Sequence, residues 1–452
     1  MENRGRDVKD PTRPARRLAL GWMTGTAALL RMGRAYAHAR GDAGASPDVR
    51  VAPAAQPRDL RAIVGARPGP LDVVFEGGGM KGAAFAGAVE ILLGRGFKLR
   101  RLIGSSAGAI TAAFLAAGYG ASELASVLGE RTSGSPKRRF SSFLDPPAVI
   151  PPPPNVSPLK WSLFALGVVK AVESGSRLGM PLSPEALGSY ARRGLFLFST
   201  GAVADDAAFL AWMADSLERK GISRDATLGE LQRTFGARGL QLSLAATDVS
   251  AQRLLILNHH TAPQLPLLWA VRMSMGIPLV WPEVVWRESW GRYRGRAMVE
   301  GGEGHRVVDG GVLSNFPLKY LIEPRHTGPG GVLGPLSEGV PAGVLGILLD
   351  ETRGARKPSP PPTSAPGSAP TKNEKGIGQQ VQDNLLVMNS LERLVSTMTG
   401  AWDLETIEEY GAEPLICRIP VRGFDTLDFD MSDQAMAELV ESGRGAMKHY
   451  LG

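Results

Sequence analysis

The chain has 452 residues, 43% of them apolar, which is enough to bury a full α/β core. Its one cysteine, Cys417, excludes an internal disulfide framework and any Cys-rich zinc or iron–sulfur site, so chemistry must rest on other groups. The formal charge of +7 is concentrated in residues 1–70, where thirteen Lys/Arg face six Asp/Glu; a basic arm before a neutral body argues against nucleic-acid binding and permits attraction to anionic lipid.

Within that arm, residues 13–39 hold Arg16-Arg17, a mildly apolar run over 18–30 and the small-residue sites Ala35-Tyr36-Ala37 and Ala37-His38-Ala39. These features sketch a twin-arginine-like export signal. Arg31 and Arg34 spoil the cleavage region, and the rival is a basic disordered arm on a protein that is cytoplasmic or peripheral to the membrane. Elsewhere no stretch reaches the roughly 20 apolar residues that would span a bilayer. Residues 43–70, rich in Ala, Pro, Gly and Arg, read as a linker.

The folded body is expected from residue 71. Strand (71–75), glycine turn (77–82), helix (83–93), strand (99–103) and helix (107–117) follow in the rhythm of a parallel sheet. Residues 132–160, with four consecutive prolines at 151–154, predict a long surface excursion. Helices are predicted through 161–234, including 184–193 and 207–220. Strands are then predicted at 241–246 and 253–257 around Thr247-Asp248-Val249-Ser250, and at 344–349. Residues 354–376 are a low-complexity linker inside the fold. A helix at 379–399, a strand at 414–419 and a helix at 432–450 complete the domain over 377–452.

Three glycine-bearing turns carry chemistry. Gly104-Ser105-Ser106-Ala107-Gly108 is a G-x-S-x-G pattern between a predicted strand and helix, where a sharp elbow exposes the Ser106 hydroxyl at a helix N-terminus. Gly77-Gly78-Gly79-Met80-Lys81-Gly82 offers consecutive main-chain N–H groups for an oxyanion, and Lys81 can add charge or fix the loop. It also satisfies the dinucleotide fingerprint G-x-G-x-x-G, the basis for a rival nucleotide-binding oxidoreductase. That reading needs an acidic residue about 20 positions on, where Arg100 and Arg101 stand. Asp309-Gly310-Gly311 delivers a carboxylate into a flexible turn, from which it could accept a hydroxyl proton directly. Taken singly, each of these is an ordinary turn.

Together, in this order and spacing, they resemble the patatin-like phospholipase family, as do Ala246-Thr247-Asp248-Val249, the run 272–278 and Ser314-Asn315-Phe316-Pro317. The resemblance covers residues 71–350, the expected catalytic domain, and more loosely the C-terminal strand and helix. It implies an α/β, three-layer fold with a mainly parallel central sheet flanked by helices. It also implies a serine lipid acyl hydrolase: Ser106 as nucleophile, Asp309 as base, and the main chain around Gly78 and Gly79 as oxyanion hole. Asp248 and Ser274 are read as structural. No cofactor or catalytic metal is expected, and the partner is a lipid or membrane-surface substrate.

Two alternatives stay open: a catalytically decayed membrane-binding relative, and a conventional Ser-His-Asp esterase. Of the histidines, only His326 and His449 follow Asp309, and neither has the setting of a catalytic base. His259, His260 and His305 read as surface loop residues. Lipid could be met by the apolar run 161–169, as a hydrophobic cap or else as a core helix. Trp286, Trp290 and Tyr293, alternating with Arg287, Arg292, Arg294 and Arg296, suit a headgroup region or an edge hairpin.

Overall fold

A computed structural model describes residues 68–354 and 403–452, apart from 133–136, 148, 154–156, 176–183, 236–239 and 336–341. The signal-like run, residues 355–376 and the helix expected at 379–399 lie outside the described residues.

Strand β1 (Pro70–Phe75) sends Leu71, Val73 and Phe75 into one apolar cluster and Val74 into another. A strand apolar on both faces belongs in the middle of a covered parallel sheet. It is followed by α1 (Ala84–Gly94), β2 (Lys98–Gly104), α2 (Ala107–Ala116) and α3 (Ala121–Leu128). A helical stretch comes next: α4 (Pro158–Gly175), α5 (Pro184–Thr200), α6 (Ala207–Glu218) and α7 (Leu228–Phe235). Then come β3 (Gln241–Asp248), β4 (Arg253–Leu257), α8 (Leu267–Ser274), β5 (Val284–Val285), the small hairpin β6 (Val299–Glu300) and β7 (Glu303–Gly304), and β8 (Arg306–Asp309). Finally β9 (Gly343–Gly354), β10 (Ile416–Arg422) and α9 (Asp433–Leu451) close the fold.

The main sheet has the order β10-β9-β1-β2-β3-β8-β5, with β4 also on β3. All pairs from β10 to β3 are parallel; β4, β8 and β5 add antiparallel pairs at one side. Helices α1, α2, α6 and α9 cover one face through the larger cluster, and residues 316–333 with 407–416 cover the other. The fold is therefore the expected three-layer α/β arrangement.

One detail of register positions the site. β4 pairs with residues 244–248 of β3, so β2 (on 241–244) and β8 (on 246–248) must share the opposite edge. β2 ends opposite Leu244, and the antiparallel β8 arrives with Asp309 opposite Ala246. The turn after β2 and the turn after β8 thus meet end to end.

Three expectations change. The excursion over 132–160 is not wholly superficial: Phe140 and Phe143, on a 3₁₀ turn at Arg139–Leu144, pack edge-on and tilted against Phe209 and Trp212 in the core. Trp286, Trp290 and Tyr293 are buried while the neighbouring arginines are exposed, so these aromatics find their partner surface within the protein. The run 161–169 is neither cap nor core alone. In α4, Trp161 and Ala165 are buried with Phe196 of α5, whereas Leu163, Phe164 and Leu166 are exposed.

Candidate active site

The strand-to-helix turn after β2 is sharp enough that Ser106 takes φ 49° and ψ −119°, in the left-handed region that a side chain rarely adopts. Its neighbours explain why the turn needs glycines. A Cβ on Gly104 would lie 2.2 Å from the Gly108 carbonyl oxygen, and one on Gly108 would lie 2.3 Å from that of Phe75. The elbow is tied down by main-chain bonds from Ser106 N to Ser274 O (3.1 Å) and from Ser105 N to Phe75 O (3.3 Å). Ser274 Oγ in turn donates to Ala245 O at 2.5 Å, consistent with a structural role.

Asp309 is placed opposite this elbow by β8. A Cβ on the next residue, Gly310, would come within 2.8 Å of Ser105 Oγ, which measures how closely the two turns approach. Asp309 Oδ1 accepts from Gly311 N at 2.7 Å, while Oδ2 is buried with no hydrogen bond of standard geometry among the described residues. Burial pushes the carboxyl up to about 7, against the opposing pull of Gly311 N–H, the nearby Ser106 side chain and the Arg272 guanidinium. Ser106 is thus close enough to influence the carboxyl without closing a standard bond to Oδ2. Arg272 is itself fully buried, held by Asp206 (3.1 Å) and Pro282 O (2.8 Å).

The glycine loop closes the third side. A Cβ on Gly77 would lie 2.9 Å from the Ser106 Cβ, and Gly79 adopts φ 53° beneath Thr426. Among the described residues the N–H groups of Gly78, Gly79 and Ala107 have no acceptor. Met80 and Lys81 are buried; Lys81 Nζ pairs with Glu351 at 2.7 Å, which assigns it to holding the loop. Asn315 Nδ2 donates to Gly77 O (2.9 Å), and Asn315 N, Phe316 N and Ser314 Oγ all donate to Asp403 (2.8, 2.7 and 2.8 Å). Beside the loop, burial raises the Glu76 carboxyl to about 8 even though it accepts from Leu349 N.

Gly79, Ser106, Phe140, Phe143, Trp281 and Phe429 line a narrow cleft of about 40 Å³ with predominantly apolar walls. Gly77–Gly82, the elbow and the Asp309 turn therefore assemble at one place. Among the described residues, no histidine lines the cleft. His326 pairs with Glu323 (2.7 Å) and His305 with Asp248 (2.8 Å); His449 lies in the last turn of α9. His259 is half-buried, and burial lowers its pKa to about 4. Asp248 also accepts from Ser250 N, Ala251 N and Arg253, so it organises its own turn.

The carboxylates Glu76 and Asp403, and the walls Phe140, Phe143 and Phe429, were not foreseen from sequence. Arg272 and Asn315 stand inside the runs 272–278 and 314–317, but a buried charge facing Asp309 has no signature in one dimension. Asp403 follows a stretch with no motif at all.

The model of the patatin-like phospholipase family matches residues 73–322. A curated relative, the uncharacterized protein YqhO of Bacillus subtilis (strain 168), is 30% identical over 390 residues, covering 84% of this chain and 98% of its own. Among solved structures, VipD from Legionella pneumophila aligns with TM-score 0.37 and 16% identity over 85% of this chain and 66% of its own. The ExoU–SpcU complex of the type III secretion system of Pseudomonas aeruginosa aligns with TM-score 0.34 and 16% identity, over 90% of this chain and 60% of its own. The chain thus spans less than two thirds of the length of either solved relative.

Proposed function

Because the chain belongs to the patatin-like phospholipase family, we propose that it is a lipid acyl hydrolase of the phospholipase A type, a carboxylic-ester hydrolase working through a Ser106–Asp309 dyad. Ser106 Oγ attacks the ester carbonyl carbon while Asp309 Oδ2 takes the hydroxyl proton. The carbonyl oxygen becomes an oxyanion against the N–H groups of Gly78 and Gly79, assisted by the N-terminus of α2. Collapse breaks the bond to the alcohol, which leaves with the proton from Asp309, and Ser106 retains the acyl group. Water, deprotonated by Asp309, then attacks the acyl-enzyme; the Ser106 Oγ–acyl bond breaks, Asp309 returns the proton to Oγ, and the fatty acid is released.

The observation that carries this reading is the approach of Asp309 to a strained serine elbow in a cleft without histidine. A carboxyl titrating near 7 can both accept and return a proton at neutral pH. Apolar walls suit an acyl chain. Approach to a membrane surface is favoured by the exposed Leu163, Phe164 and Leu166 of α4 with Leu197 and Phe198 of α5. Residues just after α5 bond to Leu279 O and Val280 O, beside the cleft wall at Trp281. No described helix is long and apolar enough to cross a membrane.

The test is a lipid-panel hydrolysis assay read by mass spectrometry, with fluorophosphonate labelling in parallel. Ser106→Ala is expected to lose labelling and to slow turnover by roughly 10⁴-fold or more while keeping the wild-type thermal midpoint. Unchanged hydrolysis in that variant would overturn the nucleophile, and a wild-type protein that resists labelling would favour a decayed site.

A further inference from the structure

On the sheet face opposite α1 and α2, β4 and residues 293–332 enclose a second cleft, of about 550 Å³, which shares no lining residue with the first. Its rim carries four guanidiniums, from Arg253, Arg294, Arg296 and Arg325, together with His326 and the ring of Tyr320. Two carboxylates offset part of this charge. Asp248 holds Arg253 at 3.1 Å. Glu323 holds Arg325 at 2.6 Å and His326 at 2.7 Å. Burial alone would raise Glu323, but its bonds from His326, Arg325 and Tyr410 outweigh that and keep its carboxyl at about 2, hence ionised.

Arg294 and Arg296 have no carboxylate partner among the described residues; Arg294 reaches only the Gly330 carbonyl, at 3.2 Å. Both stand on a tight turn that pairs Tyr293 with Arg296. Its Arg294 (φ 50°) and Gly295 (φ 77°) are left-handed, and Arg294 N is bonded to Thr261 O. The arginine–aromatic alternation noted in the sequence thus resolves into aromatics anchored inside and guanidiniums presented outside. The cleft is large enough for a small organic ligand. Its unneutralised donors are of the planar, forked kind that matches a phosphate group.

We propose that this cleft is a binding site for a phosphomonoester group, separate from the hydrolytic centre. The chemistry is shared by a soluble phosphorylated metabolite and by the headgroup of an acidic phospholipid. The proposal stands whether or not the chain hydrolyses lipid, because its readout is binding.

The test uses the full-length chain carrying Ser106→Ala, so that no lipid is consumed. Glycerol 3-phosphate is titrated by calorimetry, and phosphatidylcholine vesicles with and without phosphatidic acid are sedimented with the protein. Arg294 and Arg296 are exposed, so Arg294→Ala/Arg296→Ala is expected to keep its thermal midpoint and to weaken binding by about tenfold or more. Arg292→Ala, on the same turn but outside the cleft, is expected to leave binding unchanged. Saturable calorimetric binding that the double variant weakens assigns a soluble ester, and sedimentation that depends on phosphatidic acid and is weakened in the double variant assigns a headgroup; sedimentation equally strong in the double variant would place the lipid contact on the basic arm and overturn the site. Absence of binding in both arms would overturn the site, as would an equal loss in Arg292→Ala.

Discussion

At the residue scale, the proposed chemistry depends on a carboxyl whose affinity for protons is set by its surroundings. Asp309 is buried, and Gly311 N–H, the Ser106 side chain and Arg272 only partly offset the cost of charging it. The base is the deprotonated form, so kcat/KM is expected to rise about tenfold per pH unit up to about 7 and level off above it. Asp309→Asn is expected to lower kcat by roughly 10²–10⁴-fold. The same shift has a thermodynamic signature. Folding raises this carboxyl from its ordinary 3.8 to about 7, so the folded state binds more protons than the unfolded one between those values. Stability contributed by the protonated group is present at low pH and falls as pH rises through that window. A Tm-versus-pH series should be flatter there for Asp309→Asn, with the slope due to Glu76 and Asp403 remaining. An equally steep curve would show that Asp309 does not titrate in this range.

At the scale of elements, two packing arrangements hold the site. The first is the shared edge of β3, where β2 and β8 end against each other. The second is the crossing of α1 and α9 on the covering layer. A Cβ on Gly87 would lie 1.9 Å from Val440 O, and one on Gly443 would lie 1.8 Å from Ala84 O, so the two helices meet backbone to backbone. Gly443→Ala must push them apart, at a cost of about 1–3 kcal/mol, as does overpacking elsewhere. Thermal unfolding is expected to show a clearly lowered midpoint. Gly445→Ala, with open space at its Cβ, should be neutral or slightly stabilising through helix propensity. Equal midpoints for the two variants would show that the crossing is loose. Ser432, whose Oγ accepts from Ala435 N, starts α9 where a cap residue precedes an apolar periodicity, so this helix was readable from sequence.

At the scale of the whole molecule, the C-terminal segment is part of the site although it lies beyond the stretch matched by the family. Asp403 receives three hydrogen bonds from residues 314–316, and Asn315 passes that order to Gly77 beside Ser106. Asp403→Ala leaves those donors without an acceptor. It is expected to lower the thermal midpoint and to slow fluorophosphonate labelling, whereas Asp403→Asn, which keeps an acceptor oxygen, should recover part of both. If labelling is as fast in Asp403→Ala as in wild type, the clamp does not reach the nucleophile.

What could be read along the chain was local and close to periodic. The strand–turn–helix units around Gly77–Gly82 and Ser106 were legible because tight turns demand glycine and because a covered parallel strand is apolar on both faces. The proposed pairing of Asp309 with Ser106 rests on a family pattern, since 203 positions separate them in sequence. The remaining features depended on which segments meet. Trp286 and Tyr293 look alike in sequence whether they face lipid or core, and Phe140 reads as loop until Trp212 is beside it. The Arg272 charge reaches Asp309 across space, and Asp403 orders the glycine loop through residues 314–316. Burial, register and electrostatic environment arise from contacts between distant segments, and those contacts came into view only once the chain was folded.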